Sequence, residues 1–119
     1  MTNAEFNEMF NKRIRVFVVR VFKFLGALPR TPATNVISYQ LGKSASSVGA
    51  NYRAFCRGRS KAEKYSKICI VVEEADETEY WLLLLKDLEL GDQKELIFLI
   101  QESIEILKVV STIKNKLGE

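Results

Sequence analysis

From Lys61 to Leu90 the chain contains neither glycine nor proline, a run of about 30 residues that can form one helix about 45 Å long at 1.5 Å per residue. The stretch in front of it supplies a stop and a start. Arg57-Gly58-Arg59 interrupts the preceding helical pattern, and Gly58 is expected in the left-handed conformation that closes helices. Ser60 followed by Glu63 forms a capping box, in which hydroxyl and carboxylate take up backbone N–H groups that no helical carbonyl can reach. The spacing predicts an inner stripe at Tyr65, Ile68, Val72 and Ala75, with Glu79 on the same face one turn later. A carboxylate there needs a partner, and Asn51 and Arg53 in the preceding helix are the expected ones. Beyond it, Tyr80-Trp81-Leu82-Leu83-Leu84-Leu85 is apolar around the whole circumference, more than one helix of a lone four-helix bundle can hide.

The rest of the chain divides into three more helices. Phe6, Phe10, Ile14, Phe17, Val21, Phe24 and Leu28 recur at spacings of three and four after a capping sequence at Thr2 to Glu5. On the opposite side Lys12, Arg15, Arg20 and Lys23 alternate with Val16 and Val19, which reads either as a covered surface or as a solvated face with scattered valines. Thr31-Pro32 opens a second helix with an N-cap and a proline at the first helical position. Its stripe is Ile37, Leu41, Ser44, Val48, Asn51 or Tyr52, and Phe55, and its small residues around Gly49 allow a close neighbour. Gly91 is expected to end the third helix, and Asp92 with Glu95 to open the fourth. That last helix has one face at Leu96, Ile97, Ile100, Ile104 and Leu107 and another at Phe98, Leu99, Ile106, Val109, Val110, Ile113 and Leu117. A helix with two apolar faces is shared between its own core and a partner. The expected architecture is one all-α domain over residues 1–119, an antiparallel up-and-down four-helix bundle with helices over roughly 3–28, 32–57, 60–90 and 92–117.

Composition narrows the chemistry. There is no histidine, and the two cysteines, Cys56 and Cys69, cannot form a zinc site or a disulfide framework, so they read as reduced thiols of a cytoplasmic protein. No phosphate-binding glycine loop and no nucleophile–base pair is present. The acidic cluster Glu73, Glu74, Asp76, Glu77 and Glu79 reads as a salt-bridging face, since two-metal bundles also need Glu-x-x-His pairs. No enzyme activity and no cofactor are expected. The apolar run from Ile14 to Leu28 is interrupted by three cations and predicts neither a membrane span nor a targeting segment.

Charge is strongly segregated. Residues 1–67 hold 13 Lys/Arg against 3 Asp/Glu, and residues 68–119 hold 5 against 12. The basic half can serve nucleic acid, or it can meet the acidic half of a neighbouring subunit. Arg53, Arg57, Arg59, Lys61, Lys64 and Lys67 around the second turn are the best candidates for contacting phosphates, with Lys12, Arg15, Arg20 and Lys23 on the first helix. Val16, Val19, Trp81, Leu84, Leu85, Phe98, Val109, Val110 and Ile113 are the candidate subunit contacts.

Three motifs in order carry a family resemblance: Ser47-Val48-Gly49-Ala50-Asn51-Tyr52-Arg53, then Arg57-Gly58-Arg59-Ser60-Lys61-Ala62-Glu63, then Glu74-Ala75-Asp76-Glu77-Thr78-Glu79-Tyr80-Trp81-Leu82. Over nearly the whole chain this resembles the bacterial four-helix-bundle family named for the protein encoded in 23S rRNA intervening sequences. The resemblance implies a cyclic homo-oligomer, a pentamer in relatives, with no established enzymatic activity. Related accessory proteins of diversity-generating retroelements imply RNA or DNA, and a reverse transcriptase or another protein, as partners. The resulting expectation is a noncatalytic oligomeric scaffold binding nucleic acid through a basic surface without reading sequence. The alternative is a protein-interaction adaptor whose basic half serves subunit association.

Overall fold

Every helix begins at a residue whose side chain accepts a hydrogen bond from its first turn. In the computed structural model, which describes residues 1–119, Thr2 and Glu5 cap each other reciprocally at the start of α1 (Asn3–Gly26). Thr31 and Thr34 do the same for α2 (Pro32–Cys56), with Pro32 at its first position. Ser60 accepts from the Glu63 N–H at the start of α3 (Lys61–Asp87), while the Glu63 carboxylate reaches back to the Arg59 N–H at 2.9 Å. Asp92 accepts from the Lys94 and Glu95 N–H groups at the start of α4 (Gln93–Leu117). There are no strands.

The four helices form a bundle of 44 × 25 × 19 Å in which α1 and α3 each pack on α2 and α4. Along one seam Phe22 lies against Gly42, and Ile14 against Gly49. A methyl at Gly49 would meet Ile14 Cγ2 at 3.5 Å, an ordinary contact, so the small residues admit α1 without the site requiring glycine. The core is the expected stripe of α1 from Phe10 to Leu28 together with Ile37, Leu41, Val48, Tyr52 and Phe55 of α2. Tyr52 rather than Asn51 points inward, fully buried beneath Phe10 with the two rings edge to face.

The inner stripe of α3 differs from its expected register. Ile68, Val71, Ala75, Thr78, Leu82 and Leu85 are buried, while Tyr65 is 38% exposed and Val72 is only partly covered. The reason is packing on α2: Thr78 Oγ1 lies 2.9 Å from Ser44 Oγ, and 2.8 Å from the Glu74 carbonyl oxygen. This satisfies the hydroxyls that the stripe buries. On α4 a single central stripe, Leu96, Leu99, Ile100, Ser103, Ile106 and Val110, replaces the two expected faces, and Ile97 and Phe98 remain exposed.

Two turns also close differently. Gly58 does not adopt a positive φ; its lack of a side chain makes room for Lys64, whose Cγ would lie 2.6 Å from an added Cβ. At the end of α3 it is Glu89, with φ 57°, that turns left-handed. The Leu90 N–H then bonds the Leu85 carbonyl, and the Glu89 N–H the Lys86 carbonyl, the paired closure usually built on glycine. Gly91, at φ 81°, follows in the loop, where a Cβ would lie 2.4 Å from Phe24 Cζ.

The corrected register has a direct test. Leu82→Ala removes a fully buried side chain and is expected to cost about 2–5 kcal/mol in chemical denaturation. Leu83→Ala, at a 37% exposed position, should cost less than half as much; equal losses would contradict the assignment.

Candidate nucleic-acid interface

The segregated charges first meet inside the chain. Arg13 donates from Nε and Nη2 to the Glu102 carboxylate at 2.8 and 2.7 Å. Arg20 holds Glu95 in the same fork at 2.9 and 2.6 Å, and its guanidinium lies 3.6 Å from the centre of the Phe98 ring. Two arginines two turns apart on one face of α1 thus clasp α4, a bidentate geometry that only guanidinium supplies. Arg20, expected to contact phosphate, is already engaged. Its charge-assisted hydrogen bond also holds the Glu95 carboxyl below the usual carboxylate range.

The other candidate cations fall into two groups. Lys12, Arg15 and Lys23 are exposed along α1, away from its core stripe and without an ion pair. Arg53, Arg57 and Arg59 are exposed at the α2–α3 turn, also without a carboxylate partner. Lys61 donates to the Glu119 carbonyl oxygen at 3.2 Å, Lys64 lies 5.2 Å over the Phe55 ring, and Lys67 is half-buried. The fold adds cations that the charge pattern along the chain conceals. Lys108 and Lys116 of α4, from the acidic half, line one groove with Lys64.

That groove has a volume of about 680 Å³ and lies between the start of α1 and the end of α4. Phe6, Phe55, Val109, Ile113 and Leu117 supply its apolar lining, and no carboxylate lines it. Asn7, at its edge, accepts a hydrogen bond from the Tyr52 hydroxyl at 3.2 Å. Burial, and then the neighbouring Cys56, push the Tyr52 phenol well above its ordinary range, so it remains a neutral donor.

The expected network of Asn51, Arg53 and Glu79 does not form. Asn51 donates to the Ser47 carbonyl and hydroxyl on its own helix at 3.0 and 2.9 Å, Arg53 is exposed, and Thr78 takes the inward position beside Glu79. Among the candidate subunit contacts, Leu85 and Val110 are fully buried in the core and have no surface to offer. Trp81, Leu84, Val109 and Ile113 are partly buried against the core, whereas Val16, Val19 and Phe98 are 51%, 47% and 42% exposed. The acidic cluster on α3 holds no three groups placed to bind a metal ion. Within it, burial and then the neighbouring Glu77 raise the Glu74 carboxyl.

Glu95 and Glu74 carry opposite linkage. A depressed carboxyl such as Glu95 contributes stability above its unfolded value that is lost as pH falls through its folded value; a raised one such as Glu74 weakens the fold at neutral pH, and acid relieves it. Glu95→Gln is therefore expected to lower the melting temperature at neutral pH and Glu74→Gln to raise it. Both differences should close below the ordinary carboxylate value of 4.5. Shifts of the same sign in a thermal denaturation series across pH would contradict this pairing.

No helix is long and apolar enough to cross a membrane. No curated protein matches the sequence. The crystal structure of a protein of unknown function from the S23 ribosomal protein family of Bacteroides thetaiotaomicron is similar at 31% identity, covering 92% of this chain and 97% of that one with a TM-score of 0.76. The model of the 23S rRNA-intervening sequence proteins matches residues 7–112. On both grounds the chain belongs to the 23S rRNA-intervening sequence protein family.

Proposed function

We propose that this chain is a noncatalytic cytoplasmic scaffold that binds RNA or DNA through phosphates, without reading sequence, as a closed ring of identical antiparallel bundles. The carrying observation is the set of arginine side chains without a carboxylate partner at one turn, Arg53, Arg57 and Arg59, with Lys61 beside them. Arg13 and Arg20 have spent their charge on α4, and Lys108 lies 3.9 Å from Glu105; the three arginines of the turn have no such partner. Several such cations neutralise phosphates together, giving affinity that depends steeply on salt and little on sequence. The antiparallel order is supported by the seams, where Arg13 meets Glu102 while Arg20, further along α1, meets the earlier Glu95. Five subunits is the number the family resemblance suggests.

A second reading, an adaptor for a reverse transcriptase or another protein, is favoured by Tyr80, Leu83, Ile97 and Phe98, which stay between 37% and 58% exposed. Salt separates the two. Nucleic-acid affinity is expected to fall by orders of magnitude between about 50 and 200 mM salt. Arg57→Ala, Arg59→Ala and Lys61→Ala together should weaken it at least tenfold with the helical content unchanged. No binding at the lower salt would reject the nucleic-acid reading and leave the adaptor.

A further inference from the structure

The groove at the basic end combines three features that a patch serving duplex phosphates alone does not need. Its lining is apolar and partly aromatic, with Phe6, Phe55, Val109 and Ile113. Three lysines, Lys64, Lys108 and Lys116, reach it from two helices with no carboxylate among the lining groups. Its polar edge includes Asn7, whose amide oxygen is fixed by the Tyr52 hydroxyl while its NH₂ has no acceptor within the chain. At about 680 Å³ it is within the size range of small-ligand pockets, ample for one nucleotide. The stacked bases of a duplex would offer such a site only backbone. An unpaired nucleotide offers a flat apolar body, acceptor atoms on its edge and a phosphate on either side.

Resting on the nucleic-acid reading above, we infer that the groove receives an unpaired base of a bound single strand. The base enters against the apolar lining, the Asn7 NH₂ donates to its edge, and Lys64, Lys108 and Lys116 neutralise the flanking phosphates. Charge complementarity selects this occupant. An apolar segment carrying cations would be repelled by the three lysines, and a neutral one would leave Lys64 and Lys116 without counterions, Lys108 having the exposed Glu105 at 3.9 Å. Single strands are thereby preferred over duplexes, the combination of base contact and cationic track that serves single-strand binding generally.

The test compares a single-stranded RNA of about 12 nucleotides, carrying one 2-aminopurine, with a duplex of equal phosphate number at one salt concentration. The single strand is expected to bind at least tenfold more tightly, with a change in 2-aminopurine emission on binding. Lys108→Gln with Lys116→Gln, at exposed positions, should weaken both forms but the single strand severalfold more than the duplex, removing most of that preference. Val109→Asp, which places a carboxylate in the groove, should do the same, with circular dichroism confirming the fold. Equal affinity for the two forms, or unchanged emission, overturns the groove assignment while leaving phosphate binding by the turn intact. A change in subunit number with the strand preference retained assigns the groove to a second copy and also overturns it. If neither form binds, the nucleic-acid reading fails and this inference with it.

Discussion

One apolar stripe from each helix, buried in a shared interior, fixes the rotation of all four. Tyr52, Phe10, Ile14, Leu41, Ile68, Leu82, Leu85, Leu96, Leu99 and Ile106 are essentially dry, and each such side chain contributes roughly 1.5–3 kcal/mol of transfer free energy. Once those stripes are satisfied, the remaining positions have no freedom to choose where they point. Arg13 and Arg20 must face α4, the lysines near the end of α4 must come beside Lys64, and Phe98 must sit outside under the Arg20 guanidinium. The candidate site follows from packing elsewhere.

Much of the fold was legible because the punctuation is local. Thr2, Thr31, Ser60 and Asp92 cap the helices that their spacing announces, and the stripe of α1 is spaced so regularly that it admits one reading. The third helix was harder. Between Ile68 and Leu85 it is apolar or acidic on nearly every side, so periodicity alone does not separate Val71 from Val72 or Thr78 from Glu79. A small hydroxyl pairing with Ser44 decided the matter, and partners 34 residues away leave no trace in local spacing. The left-handed turn at Glu89 was hidden for a related reason: glycine two residues later looked like the stop, yet the tight fit of Gly91 against Phe24 explains its presence in the loop instead.

The site was only half legible. The cations of the α2–α3 turn stand together in the sequence and in space, but Lys108 and Lys116 lie in a stretch whose total charge is negative. Summing charge along the chain hides cations that α4 delivers to the opposite pole. Arg20 shows the converse, a cation in a basic stretch that Glu95, 75 positions away, removes from the pool available to phosphate. Phe6 and Phe55 read as core by spacing and Ile113 as a subunit contact, and only the gap between the start of α1 and the end of α4 turns them into a lining.

The outside of the bundle bears on how the chain works. Leu82 and Leu85 are dry, but Tyr80 and Leu83 of α3 and Ile97 and Phe98 of α4 keep between 37% and 58% of their surface wet. A ring in which neighbouring copies cover these residues would repeat the basic end around its axis and multiply its phosphate contacts. Sedimentation velocity of the purified chain at micromolar concentration is the most direct measurement of that account. A single closed species several times the 13.6 kDa subunit mass, five times for a pentamer, is the expected result, and a stable monomer would contradict it.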